Sequence, residues 1–155
     1  MGTLASIDLS SYGCNVYVET GTGKALSLGK AIPHFEKCFS VDIHREFLES
    51  ANKKYPSAFL YNGLSTEALE EWLSSGQIAE SDRVLFFLDA HFPGADFHKI
   101  TYEESISQFR EDAFPLYNEI NIIKKYRDIK NDVFIIDDWK LYDETKNFEH
   151  SEWKY

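Results

Sequence analysis

Cysteine is scarce: Cys14 and Cys38 are the only two in 155 residues. They stand at no metal-ligand spacing, which excludes a zinc finger or ribbon, and two thiols make no disulfide framework. Both lie in strand-like runs and read as reduced core thiols of a cytoplasmic protein. Long apolar runs are absent as well; none approaches the roughly 18 residues that a membrane span needs. Met1-Gly-Thr-Leu-Ala-Ser6 lacks the basic stretch of a secretory signal. Positive charge is in short supply, with 16 Lys and Arg against 26 Asp and Glu and a net charge of −10. A phosphate backbone is gripped mainly through Lys and Arg, so nucleic acid is not expected as a partner. The adjacent basic pairs, Lys53-Lys54 and Lys124-Lys125, fall on helix-like segments where a solvated face accounts for them. The excess of acid suits a cationic ligand or a divalent metal instead.

What is present argues for a folded α/β domain. Apolar residues make up 43% and aromatics 15%, too much for a disordered chain. One domain spanning 1–155 is expected, large enough for a single sizeable core. Strand-like and helix-like runs alternate. Val16–Glu19 reads as a strand, Lys24–Ile32 as a helix ended by Pro33, and Lys37–Ile43 as a second strand. Arg45–Tyr55 has helical spacing and stops before Pro56; Ala58–Tyr61 is a third strand, and Asn62-Gly63 turns the chain. Ser65 or Thr66 caps a helix carrying Leu69, Trp72 and Leu73. Arg83–Asp89 is apolar on both faces, as a buried parallel strand should be. After a loop-like insert, His91 to about Ala113, Pro115 opens a helix to about Arg127, and Asp132–Asp138 is a fifth strand. This alternation predicts a Rossmann-like, doubly wound, mostly parallel sheet with helices on both faces.

The loop after the first strand, Glu19-Thr-Gly21-Thr-Gly23-Lys24, narrows the ligand. It is not a P-loop: Val18 stands where the first glycine belongs, and Ala25 where Ser or Thr should follow the lysine. It is not a dinucleotide fingerprint, because Leu26 occupies the third glycine position. An acid beside two glycines repels phosphate and suits a ligand with positive charge, such as an amino group; a tight turn with an accidental acid is the plain alternative.

Acids recur at the same rim. Four of the five strand-like runs end in Glu19, Asp42, Asp89 or the pair Asp137-Asp138. Ligands of open α/β sheets bind at the carboxyl ends of the strands. Helix capping accounts for one or two such acids but less well for a doubled Asp after Val-Phe-Ile-Ile. Adjacent buried carboxylates call for a cation, and oxygen-only ligands point to magnesium before calcium. Asp42 stands where nucleoside-binding folds accept ribose hydroxyls, with capping of the next helix as its competitor.

The order Glu19-x-Gly21-x-Gly23, then Asp42, then Asn62-Gly63, resembles class I S-adenosylmethionine-dependent methyltransferases. Phe87-Leu-Asp-Ala-His91, Pro115-Leu-x-x-Glu119 and Ile135-Ile-Asp-Asp138 resemble a bacterial and viral methyltransferase-like group, across about Tyr12 to Tyr142. Asp89, Asp137 and Asp138 match the magnesium site of metal-dependent O-methyltransferases. The resemblance implies that Glu19, Gly21 and Gly23 hold the amino acid part of S-adenosylmethionine. By the same resemblance Asp42 would bind the ribose, Ile43 would pack on adenine, and Gly63, Leu64 and Ser65 would line the adenine edge. It also implies a magnesium or calcium ion on Asp89, Asp137 and Asp138.

Two departures stand out. The catechol-type enzymes carry a lysine base where this chain has Phe92, leaving His91 as the nearest candidate base, with Lys140 behind it. The family's sheet continues with two further strands, whereas 17 residues follow Asp138, so a minimal or truncated domain is expected. The fifth strand then offers an exposed edge, and the aromatic tail (Trp139, Tyr142, Phe148, Trp153, Tyr155) is expected to cover it or to form a homodimer contact.

The expected function is methyl transfer from S-adenosylmethionine to an oxygen of a small-molecule acceptor, assisted by metal. A non-catalytic S-adenosylmethionine-binding subunit or sensor is the alternative, and an α/β enzyme of another class with a metal on the same rim is a third. The insert from His91 to Ala113, with His98 and several aromatics, is the candidate lid.

Overall fold

A computed structural model describes residues 3–95 and 97–137 of the chain. Asp138 and the aromatic tail lie outside the described residues. Five strands form one sheet: β1 (Val16–Thr20), β2 (Lys37–Asp42), β3 (Phe59–Asn62), β4 (Val84–Leu88) and β5 (Val133–Ile136). Their order is β3-β2-β1-β4-β5 and every pairing is parallel. This is the Rossmann-like α/β arrangement that the alternation predicts.

The helices are α1 (Leu26–Ala31), α2 (Arg45–Lys54), α3 (Ser65–Ser74), α4 (Tyr102–Phe109) and α5 (Leu116–Tyr126). Side chains of a strand alternate between faces, so β1 serves two cores at once. Val16 and Val18 join Phe39, Val41, Val84, Phe86 and Leu88 beneath α3 and α5. Tyr17 joins Cys38, Leu85 and Phe87 beneath α1, with Leu4, Leu9 and Phe35 closing that side. β1 and β4 are buried along their whole length, which is why β4 carries apolar residues on both faces; the edge strands β3 and β5 are partly open. Phe39 stacks on Phe59 at 4.7 Å and meets Trp72 at 5.2 Å. Such ring pairs contribute about 0.5–1.5 kcal/mol each beyond the buried area.

A buried ion pair closes the amino-terminal edge of the sheet. Arg127 donates from Nε to Asp132 Oδ2 at 2.7 Å and from a terminal nitrogen to Oδ1 at 2.9 Å. Its guanidinium also donates to the carbonyls of Ala79 and Asp82, and Asp132 accepts the Val84 amide. One residue thereby locks the end of α5 to the starts of β4 and β5.

Three expectations need correction. The segment from His91 to Ala113 is not a loop throughout: it contains α4 and a short 3-10 turn, Arg110–Ala113. The signal was present in Thr101-x-x-Glu104, where the Thr101 hydroxyl accepts the Glu104 amide and the Glu104 carboxylate accepts the Thr101 amide. Neither Ser65 nor Thr66 caps α3, because Leu64 holds the cap position and the Glu67 carboxylate accepts its amide at 3.2 Å. The helix after the glycine loop starts at Leu26 rather than Lys24, since Ala25 sits in the left-handed region at φ 57°.

Both cysteines are free; burial pushes the Cys38 thiol up to about 12 and removes its nucleophilicity at neutral pH. No helix among the described residues is long and apolar enough to cross a membrane.

Candidate functional site

The strand order reverses between β1 and β4, and a cleft of about 790 Å³ opens there, at the carboxyl ends of the strands. It crosses all five strand ends, a span of about 19 Å at ~4.8 Å per strand. Gly63, Leu64 and Ser65 line the β3 end, and Asp42, Ile43 and His44 follow at β2. Gly21 and Gly23 lie at β1, while Asp89, His91 and Asp137 line the β4–β5 end. Every described residue expected at the site therefore faces one cleft, except Glu19.

The glycine loop is bound to its neighbours by its own amides. Gly21 and Thr22 donate to the Val41 carbonyl at 3.0 and 3.1 Å, and Gly23 donates to Asp42 Oδ2 at 2.9 Å. All three N–H groups that a phosphate would need are thus taken. Both glycines are required by geometry. Gly21 has φ 90°, and a Cβ there would lie 3.1 Å from the Asp89 carbonyl oxygen. Gly23 has φ 47°, and its Cβ would lie 3.1 Å from the Phe97 ring.

Asp42 does not cap α2; His44 holds that position. Its second oxygen accepts the His44 amide at 2.8 Å, so one carboxylate joins the glycine loop to the start of the next segment. A carboxylate has about four acceptor sites, so each oxygen retains capacity for a ligand hydroxyl.

Glu19 lies behind the loop, fully buried and without surface in the cleft. It accepts the Tyr17 hydroxyl at 2.8 Å and the Ser40 hydroxyl at 2.7 Å, and Ser40 in turn contacts the Thr22 hydroxyl at 2.6 Å. Burial raises its pKa to about 7, against the pull of the Ser27, Ser40 and Tyr17 hydroxyls. The role open to it here is support of the loop from beneath.

At the other end, Leu88 of β4 is in register with Ile136 of β5. Asp89 and Asp137, each one residue further, therefore stand side by side at adjacent strand ends, about 5 Å apart along the backbone. No cluster of three or more His, Cys, Asp or Glu suited to a metal forms among the described residues. His91 lies over Asp89, with Nδ1 3.1 Å from the Asp89 carbonyl oxygen and 3.8 Å from Oδ1. Phe92, at the position of the family's lysine, is buried, has φ 38°, and packs edge-on against Tyr102 and Phe114.

The insert forms a wall of this cleft. Phe97 packs on Phe47 at 4.4 Å, Lys99 pairs with Glu46, and the Ser105 hydroxyl donates to the Pro93 carbonyl at 3.1 Å. Pro93, Gly94, Phe97 and Asp112 thus reach the cleft. Burial, then Glu67 and Glu111, raise the pKa of Asp112, a sign of how much negative charge collects here. Sequence reasoning passed over His44 and Asp112, because neither belongs to a spaced motif and only the fold brings them to the rim. No family model, curated protein or solved structure matches the chain.

Proposed function

We propose that the cleft binds S-adenosylmethionine and that the domain transfers its methyl group to an oxygen of a small-molecule acceptor at the β4–β5 end. One observation carries this reading. The loop amides of Gly21, Thr22 and Gly23 are committed within the protein, and acids line the strand ends around them. Such a site disfavours phosphate and favours a nucleoside whose charge is positive, as a sulfonium and an α-amino group are.

Along the cleft, Asp42 would accept the ribose hydroxyls, Ile43 and Leu64 would flank the purine, and Gly63 and Ser65 would run along its edge. Glu19 supports the loop through Ser40 and Thr22 and does not touch the ligand. The bound cofactor supplies a methyl group on a positively charged sulfur: the acceptor oxygen forms the C–O bond as the C–S bond breaks, leaving the electron pair on sulfur. The chain's task is alignment and proton removal. His91 stands over Asp89 and would take the proton of the acceptor hydroxyl. Asp89 and Asp137 have the spacing to share a divalent cation, with Asp138 as a further ligand. Such an ion would orient the acceptor and lower its pKa.

Phe92 favours a second reading. A buried ring where the family has a lysine base leaves His91 alone to remove the proton, which suits a subunit or sensor that binds the nucleoside without turning it over. Titration calorimetry with S-adenosylmethionine, S-adenosylhomocysteine and NAD, followed by an acceptor screen with and without magnesium, tests both. Binding of both sulfur nucleosides with turnover that His91→Ala removes supports the transferase. Binding without turnover supports the sensor. Tighter binding of NAD, or no binding of either sulfur nucleoside, overturns both.

A further inference from the structure

α5 buries Leu116, Glu119 and Ile123 on one stripe, so a carboxylate occupies a position where helical spacing calls for an apolar residue. Glu119 is 1% exposed, and neither of its oxygens has a partner in hydrogen-bonding geometry. Such a group costs several kcal/mol, and a leucine there would remove that cost. The groups that face it are two hydroxyls, Ser65 at the start of α3 and Thr20 at the end of β1; no charged group contributes.

Those hydroxyls are the informative part. Thr20 Oγ1 accepts the amides of Asp89 at 3.2 Å and Ala90 at 3.3 Å, which occupies both of its lone pairs. Its proton is left to be donated, and Glu119 is the acceptor on that side. Ser65 lines the cleft at the opposite end from Asp89. Glu119 therefore stands behind the cleft floor, where one carboxylate can take the protons of both hydroxyls.

We propose that Glu119 is a positioning residue of the cleft: drawing the Thr20 and Ser65 hydroxyl protons to itself, it aims Thr20 at the Asp89–Ala90 amides and turns Ser65 toward the ligand. The Thr20 half concerns the free protein; the Ser65 half rests on the reading of the cleft as an S-adenosylmethionine site. Glutamine cannot replace it, because its single oxygen accepts while its amide nitrogen only donates. Leucine fits the stripe and supplies neither function.

The test separates positioning from plain structure. Amide hydrogen exchange of Asp89 and Ala90, urea stability and S-adenosylhomocysteine affinity are measured for the wild type, Glu119→Leu, Glu119→Gln and Thr20→Val. In Glu119→Leu, stability should stay level or rise, while exchange at the two amides speeds up and affinity falls, each roughly tenfold. Thr20→Val should speed the same amides and add little in combination with Glu119→Leu. Wild-type exchange rates at both amides in Glu119→Leu and Glu119→Gln overturn the proposal. Faster exchange with no nucleoside binding by the wild type keeps the Thr20 half and refutes the reading of the cleft.

Discussion

The Asp42 carboxylate accepts the Gly23 amide at 2.9 Å, joining the end of β2 to the loop that follows β1. With the His44 amide on its other oxygen, this acid shapes the middle of the cleft before any ligand arrives. Removing it leaves two backbone N–H groups to find new partners.

Asp42→Ala is expected to lower S-adenosylhomocysteine affinity more than tenfold and to destabilise the domain by about 1–3 kcal/mol. Asp42→Asn keeps one acceptor and should fall between. Calorimetry and urea unfolding check both. Full affinity in the alanine variant would remove Asp42 from the ligand site.

Gly21→Ala should cost about 1–3 kcal/mol, through left-handed backbone and a close contact with the Asp89 carbonyl. Gly76→Ala makes the control: its φ is 77°, but nothing lies within 4 Å of the added carbon. It should cost only about 1 kcal/mol and leave ligand binding intact. Equal losses in the two variants would mean that backbone angle alone, and not the approach to Asp89, makes glycine necessary.

Burial raises Glu19 and Glu119 from the ordinary 4.5 to about 7 in the folded state. A carboxyl whose folded pKa stands above its unfolded one contributes its stability in full below about pH 4.5 and loses it as pH rises through about 7. Each shift corresponds to about 3 kcal/mol. The domain should therefore be less stable at about pH 7.5 than at about pH 5.5, and Glu119→Leu should remove about half of that slope. Urea midpoints across this range decide it; a flat profile in the wild type would mean that water reaches both acids.

Arg127→Met should destabilise by about 3–5 kcal/mol, because it leaves the Asp132 carboxylate buried without its partner. Arg127→Met with Asp132→Leu should recover much of the loss. Equilibrium unfolding of the two variants checks the pair, and a single variant as stable as the wild type would show that Asp132 is hydrated.

The element order was legible in the chain because helices and strands announce themselves in neighbouring residues. The run Val84-Leu-Phe-Phe-Leu88 reads as a two-faced buried strand from its own side chains, and β4 is buried throughout. The acids at strand ends and the glycine loop were legible for the same reason. α4 was missed because Gly94, Pro93 and mixed polar residues upstream outweighed the Thr101–Glu104 box, a pattern of two residues.

By itself, then, the sequence determined the alternation of strands and helices, the two glycines and the acids that follow the strands, since each depends on spacing along the chain. Tertiary structure decided the rest: that β4 lies beside β1, so that the cleft opens between their ends; that Glu19 turns under the loop; that Phe97 closes on Gly23; and that Glu119 faces Thr20 and Ser65. These depend on which distant segments pack together, and burial and hydrogen-bond partners exist only after they do.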